Sequence, residues 1–340
     1  MQTKRWYIDE RQPEQQAIEE AADRLRNGRT VAFPTETVYG LGADATDEAA
    51  VSGIFEAKGR PEDNPLIAHV ATKKQLSRLV TTLPSVAEKL IDTFTPGPIT
   101  IVLPSNGTCA SNVTAGLSTI GVRIPDHPVA QNLLKTCDIP VAAPSANISG
   151  KPSPTTADHV WADLQGKIAG LVDAGATGVG LESTVIDCTQ EIPVILRPGG
   201  ITKAQLEMAV GSVMVDPALA NTADKPKAPG MKYKHYAPDV PMWLVAGSPE
   251  NIQAVIDRER DDAKRIGVMA STQTANRLQA DRIITLGSDL RDIAATLYDA
   301  LRVFKNGDVD LIVCETFPRT DIGQAIMNRL EKAATAYVDS

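Results

Sequence analysis

Lys58 and Arg60 stand on either side of Gly59, and the chain continues Pro61-Glu62-Asp63-Asn64-Pro65-Leu66. The two cations fall where a helix predicted over residues 48–57 gives way to a turn stiffened by two prolines. Cations at a helix C-terminus often do no more than complement the macrodipole. Here the rigid turn and the amide of Asn64 favour a second use. Positive charge held still in this way suits a polyphosphate better than a solvated surface, because it meets developing anionic charge without reorganising.

Two further segments are dense in the same way. Pro34-Thr35-Glu36-Thr37-Val38-Tyr39-Gly40-Leu41-Gly42 follows a short apolar strand at 30–33. Its glycines fit a tight connection, and its residue types also fit a substrate loop, with hydroxyls from Thr35 and Thr37 and the ring edge and phenol of Tyr39. The stretch 140–150 reads as a buried strand that breaks at Pro144 into the polar turn Ser145-Ala146-Asn147. Ser145 and Asn147 point the same way from an extended segment, and Lys151-Pro152-Ser153-Pro154-Thr155 continues it as a stiff loop. No G-x-S-x-G elbow is present, so coordination of a phosphate or nucleotide fits better than a nucleophilic serine.

Single residues on strands add to this set. His69 shares a strand face with Ile67, either as a satisfied structural residue or as a substrate contact. Arg123 lies on the same side of its strand as Gly121 and Thr119 and needs a partner if buried. A substrate carboxylate or phosphate would supply one bidentately, and so would an internal Asp or Glu. The run 178–185 is a glycine-rich lead into a strand that carries Ser183; it is either a hairpin turn or a set of backbone N–H groups aimed at an anion. Arg197 closes the last strand of this region and makes four candidate cations with Lys58, Arg60 and Arg123.

The elements that must position these residues follow from hydrophobic periodicity. Helices are predicted at 14–27, 48–57, 73–79 and 85–94, and strands at 30–33, 66–71, 98–104, 119–124, 140–143, 168–173, 183–187 and 194–197. Strand follows strand without an intervening helix near 100–124 and 183–197, so the expected fold class is α/β with one large twisted mixed sheet. From 213 to 241 the pattern breaks into a Pro-, Ala-, Lys- and Asp-rich linker. Lys232-Tyr233-Lys234-His235-Tyr236-Ala237-Pro238 within it is too aromatic for a passive spacer and is expected to dock. Beyond it, strands at 242–246, 265–270, 282–286 and 309–315 alternate with helices at 249–264, 272–278, 290–305 and 323–336. That alternation predicts a smaller Rossmann-like parallel sheet. Ala246-Gly247-Ser248-Pro249 stands where a dinucleotide fingerprint would, which argues against a dinucleotide site. The domain expectation is therefore 11–212, a linker at 213–241 and 242–340.

Bulk properties narrow the function. The 340 residues are 43% hydrophobic and 22% charged, an ordinary soluble composition able to fill two cores. No apolar run approaches the roughly 20 residues that span a bilayer, and the polar N-terminus shows no secretory h-region. The expectation is a cytoplasmic protein without a membrane partner. Cys109, Cys137, Cys188 and Cys314 form no C-x-x-C pair, and the four histidines form no H-x-x-x-H, so neither a disulfide framework nor a protein-held metal is expected. A net charge of −8 speaks against a chain built chiefly to coat nucleic acid.

The segments 34–42, 58–66 and 144–147, in this order, resemble the signature of the YrdC/Sua5 family of threonylcarbamoyl-AMP synthases. Residues 11–210 are similar to its YrdC domain, and the linker and C-terminal region to its longer Sua5 form. The resemblance implies condensation of L-threonine, bicarbonate and ATP to threonylcarbamoyl-AMP and pyrophosphate, for N6-threonylcarbamoylation of adenosine 37 in tRNA, by a nucleotidyltransferase using Mg2+ with its ATP. It implies a threonine pocket of Thr35, Thr37, His69, Arg123, Ala143 and Ser183. It implies an ATP site of Lys58, Arg60, Asn64, Thr119, Ser145, Asn147, Ser153, Arg197, His235 and Tyr236, with Lys58 and Arg60 as the catalytic cations. Other partners it suggests are tRNA and proteins of the same modification route. No residue pattern marks a general base, so positioning and electrostatics are expected to dominate, with the tyrosine-bearing linker as a lid. Two rival readings are a double-stranded RNA or tRNA binding module using the same cationic cleft and a carbamoyltransferase; the acidic balance opposes the first, and the lack of paired C-x-x-C fingers the second.

Overall fold

A computed structural model describes residues 2–9, 11, 14–219 and 235–338. These form two compact units: one takes in the described residues to Ser149 and from Ser153 to 219, the other Gly150–Pro152 and residues 235–338.

The first unit is built on an 11-stranded sheet. Its strands are β1 (Lys4–Tyr7), β2 (Val31–Phe33), β3 (Gly40–Asp44), β4 (Ile67–His69), β5 (Ile99–Pro104), β6 (Thr119–Arg123), β7 (Val141–Ala142), β8 (Gly170–Asp173), β9 (Thr184–Asp187), β10 (Val194–Arg197) and β11 (Met214–Val215). They run in the order β1-β8-β2-β3-β7-β4-β6-β5-β9-β10-β11. Pairing is mixed, as expected: β4 is parallel to β6 and β5 to β9, whereas β5 is antiparallel to β6 and β4 to β7. Alternation along the strands gives each face its own core. Val31 and Phe33 pack with the helices Gln15–Arg26 and Pro128–Cys137. Ala32 joins the opposite core with the helices Glu48–Lys58, Ser85–Phe94 and Ala157–Leu164.

Two local devices matter for the site. The helix Glu48–Lys58 starts on Asp47, whose carboxylate accepts from the N–H groups of Ala49 and Ala50. It ends at Gly59, which is left-handed with φ 60°, while the N–H groups of Gly59 and Arg60 return to the carbonyls of Glu56 and Phe55. Glycine takes that conformation without a Cβ penalty and so fixes Lys58 in the last turn. Gly199 follows β10 at a close approach of two backbones: a Cβ there would lie 2.3 Å from the Thr184 nitrogen and 2.5 Å from the Glu182 oxygen. Main chain cannot give way as a side-chain tip can. Gly199→Ala is therefore expected to cost about 3 kcal/mol, read as a lowered urea midpoint; an unchanged midpoint would refute the close approach.

The second unit carries β12 (Met242–Val245), β13 (Ile266–Ala270), β14 (Arg282–Thr285), β15 (Leu311–Glu315) and β16 (Ala336–Val338), all parallel, in the order β14-β13-β15-β12-β16. The fifth strand corrects the sequence reading, which continued the last helix to 336. The helix stops at Ala333, and Ala334 is already extended. Tyr236 packs into this unit, stacked on Tyr298 at a centroid distance of 5.2 Å and covered by the Arg329 guanidinium at 5.9 Å. Of the aromatic segment that the sequence reading expected to dock, Lys232, Tyr233 and Lys234 lie outside the described residues.

Candidate functional site

Lys58 is buried at 3% exposure, and its Nζ donates to the carbonyls of Ser145 (2.5 Å) and Asn147 (2.6 Å). The Lys58 carbonyl in turn accepts from the Ser149 N–H at 2.9 Å. The 144–149 turn is thereby tied to the end of the helix, with a buried charge at the joint. Within the turn, Ser145 Oγ donates to Asn147 Oδ1 at 2.6 Å, and the Asn147 amide donates to the Ile148 carbonyl. Gly40 bridges to Ser145, and the N–H groups of Leu41 and Ala146 bond to the carbonyls of Pro144 and Tyr39. The sequence segments 34–42 and 144–147 are therefore neighbours in space.

Arg60 Nη2 donates to the Asn64 carbonyl at 3.2 Å, and its guanidinium lies over Phe55. Asn64 is fully buried, and neither polar atom of its side chain has a hydrogen-bond partner. An unsatisfied buried amide costs about 1–3 kcal/mol.

Parallel pairing of β4 with β6 sets His69 directly beside Arg123, and antiparallel pairing sets Thr100 on the other side of Arg123. Thr100 and Ser183 share a hydrogen bond of 2.8 Å between their hydroxyls. Arg197 clamps the same serine, with Nε and Nη2 on its carbonyl at 3.1 and 2.9 Å and Nη2 on its hydroxyl at 3.2 Å. Ala143 is held beside β4 by its N–H to the Ile67 carbonyl at 2.9 Å. Thr35 and Thr37 are both buried; their hydroxyls lie 2.8 Å apart, and Thr35 also donates to the Val38 carbonyl at 2.7 Å. Ser153 donates to Glu182 Oε1 at 2.6 Å.

Not every candidate joins this set. Thr119 begins β6 and so lies about 13 Å along the strand from Arg123, at the end where the Asn64-Pro65 turn enters β4. His235 and Tyr236 are described with the second unit. Tyr39, offered by its sequence position as a substrate contact, is wholly buried, and its hydroxyl donates to the Gly175 carbonyl at 2.6 Å. It pins the loop to the segment after β8.

The residue the sequence reading passed over is Glu36. Its Oε2 lies 2.7 Å from Arg123 Nη2 in an ion pair whose side chains are 13% and 5% exposed. The internal acid that the sequence left open as a partner for Arg123 is thus Glu36. The signal was an acid set between two buried threonines of the loop, overlooked in favour of their hydroxyls.

Burial and the neighbouring Arg123 charge push the His69 imidazole down to about 3, so it is neutral near pH 7. Its Nδ1 sits 3.2 Å from the Ile67 carbonyl. The ordinary value near 6.5 applies when the chain is unfolded, so below that pH the unfolded state takes the proton first and stability falls with acidification. The loss amounts to roughly 2 kcal/mol between pH 6.5 and 5. Urea unfolding of wild type and His69→Gln at pH 7.5 and 5 should show a steeper loss in the wild type; parallel losses would contradict this burial.

The Sua5/YciO/YrdC family profile, described as Telomere recombination, matches residues 23–199, and a second, described as the C-terminal domain of threonylcarbamoyl-AMP synthase, matches 201–335. Fold and site thus define a two-part α/β protein of the YrdC type. The chain belongs to the Sua5/YrdC family. A threonylcarbamoyl-AMP synthase of Bacillus subtilis (strain 168) is 51% identical over 344 residues, covering 99% of this chain and 99% of its own. That of Pyrococcus abyssi (strain GE5 / Orsay) is 46% identical over 94% of this chain and 95% of its own. The crystal structure of P. abyssi Sua5 complexed with L-threonine matches at a TM-score of 0.95 and 44% identity, over 99% of this chain and 100% of that one.

Proposed function

We propose that the chain is a threonylcarbamoyl-AMP synthase, acting as a nucleotidyltransferase that joins L-threonine, bicarbonate and ATP and releases pyrophosphate. Its product serves threonylcarbamoylation of adenosine 37 in tRNA, with tRNA and the proteins of that route as downstream partners. The observation that carries the reading is the full-length likeness to a Sua5 protein that binds L-threonine.

In this reading the neutral threonine amine adds to the bicarbonate carbon and water is lost, giving a carbamate; a carbamate oxygen then attacks the α-phosphorus as the bond to pyrophosphate breaks and pyrophosphate leaves. Both steps concentrate negative charge, which preorganised cations and amides stabilise. Lys58 and Arg60 serve the phosphates together with Asn64, Thr119, Ser145, Asn147, Ser153 and Arg197. Thr35, Thr37, His69, Arg123, Ala143 and Ser183 serve the amino acid. Holding two reactants together can supply about 7–11 kcal/mol of the barrier. Among the described residues no three His, Cys, Asp or Glu side chains gather into a metal cage; Mg2+ belongs to this reading as the companion of the ATP phosphates. A cytosolic setting is part of the same proposal, with all four cysteines free and buried. Among the described residues no helix is long and apolar enough to cross a membrane.

Pyrophosphate release tests the reading. It should require ATP, threonine and bicarbonate together; release without threonine, or none with all three, would overturn it.

A further inference from the structure

We propose that Glu36 binds the α-ammonium group of the amino-acid substrate, so that Glu36 and Arg123 together form a receptor for a zwitterion. The inference rests on the reading of the site as a threonine site and adds to it the group that recognises the amine.

The Glu36–Arg123 contact is a charge pair without the alignment of a hydrogen bond. At 2.7 Å the two charges touch, yet neither Oε1 nor Oε2 of Glu36, and neither Nε nor Nη2 of Arg123, has a hydrogen-bond partner, and all four atoms are shielded from solvent. A carboxylate offers about four acceptor positions and a guanidinium five donors in a planar fork. An ion pair built only to hold the fold gains most from fork-to-fork bonding that satisfies these positions. Here acceptors and donors lie side by side with hydrogen-bonding capacity to spare.

An α-amino acid is the small molecule that fits this pair. Its ammonium carries three donors and its carboxylate two acceptor oxygens, one carbon apart, so that each end finds the opposite charge. The pair is also held in place. The Glu36 carbonyl accepts from the Val179 N–H at 2.8 Å, and the loop on either side of it is fixed by the Thr35 hydroxyl, which accepts from the N–H groups of Thr37 and Val38. Arg123 is fixed at the end of β6 between β4 and β5. Preorganisation of this kind raises affinity by lowering the ordering cost.

Replacing the amine by a hydroxyl gives a sharp probe. Calorimetric titration would compare L-threonine with the 2,3-dihydroxybutanoate of matching configuration, on wild type and on Glu36→Gln. Wild type should bind threonine at least about 50-fold more tightly than the hydroxy acid, because an ammonium held by a buried carboxylate has no equal in a hydroxyl. Glu36→Gln should weaken threonine binding by about 30-fold or more, while the preference over the hydroxy acid shrinks to about fivefold or less. Equal affinity of the wild type for both ligands overturns the inference, and this arm stands whether or not the variant folds. So does equal weakening of both ligands in the variant, the mark of a merely structural role. If the wild type binds neither ligand, the threonine reading itself fails and this inference with it; binding of threonine without discrimination removes the inference alone.

Discussion

Lys58→Met is expected to abolish adenylate formation, lowering turnover by at least about 1,000-fold, and to destabilise the first unit by about 2–4 kcal/mol. The methionine keeps most of the apolar stem and removes the ammonium. The carbonyls of Ser145 and Asn147 then lose the donor they share at 2.5 and 2.6 Å, and water has little access to a side chain that is 3% exposed. The same change removes the charge on which the proposed phosphate site depends. The two effects separate experimentally. Urea unfolding reports the lost hydrogen bonds, and turnover of the folded fraction reports the chemistry. A folded variant with activity within about tenfold of wild type would exclude Lys58 from the reaction.

Arg123→Ala is the second large effect. It leaves Glu36 without its ion-pair partner in a site 13% exposed, and breaking a buried pair from one side costs about 3–5 kcal/mol. It also removes the proposed anchor of the substrate carboxylate, so the KM for threonine should rise by about 100-fold or more, with that for ATP little changed. Adding Glu36→Ala relieves the uncompensated charge. The double variant should therefore regain much of the stability and none of the activity. A double-mutant cycle reads this directly, and additive losses in stability would show that the two side chains are not coupled.

The sequence made much of this architecture legible because periodicity reports burial. Strands such as 98–104 and 119–124, and the alternating elements after 242, announce themselves by apolar pattern alone. β3 did not, because Gly40 and Gly42 are poor strand formers and read as turn residues; pairing with β2 and β7 overrides that preference. The helices Pro128–Cys137, Ala157–Leu164 and Lys203–Val210 were passed over, although each carries a capping signal: His127 with Pro128, Thr156, and the Thr202–Gln205 box. Residue types and spacing marked Lys58, Ser145 and Asn147, and the structure joins them. Glu36 stayed hidden because no local pattern tells that an acid on one loop will meet an arginine 87 positions away across the sheet. Tyr39 misled for the converse reason. Its ring looked available in sequence, but the core claimed it.

The proposed reaction joins three substrates into one adenylate. It is tested most directly by mass spectrometry of the product formed from ATP, Mg2+, L-threonine and 13C-bicarbonate. A threonylcarbamoyl adenylate heavier by a single 13C is expected, absent when threonine or bicarbonate is withheld and absent in Lys58→Met. A folded protein that binds ATP and threonine but yields no labelled adenylate would contradict it.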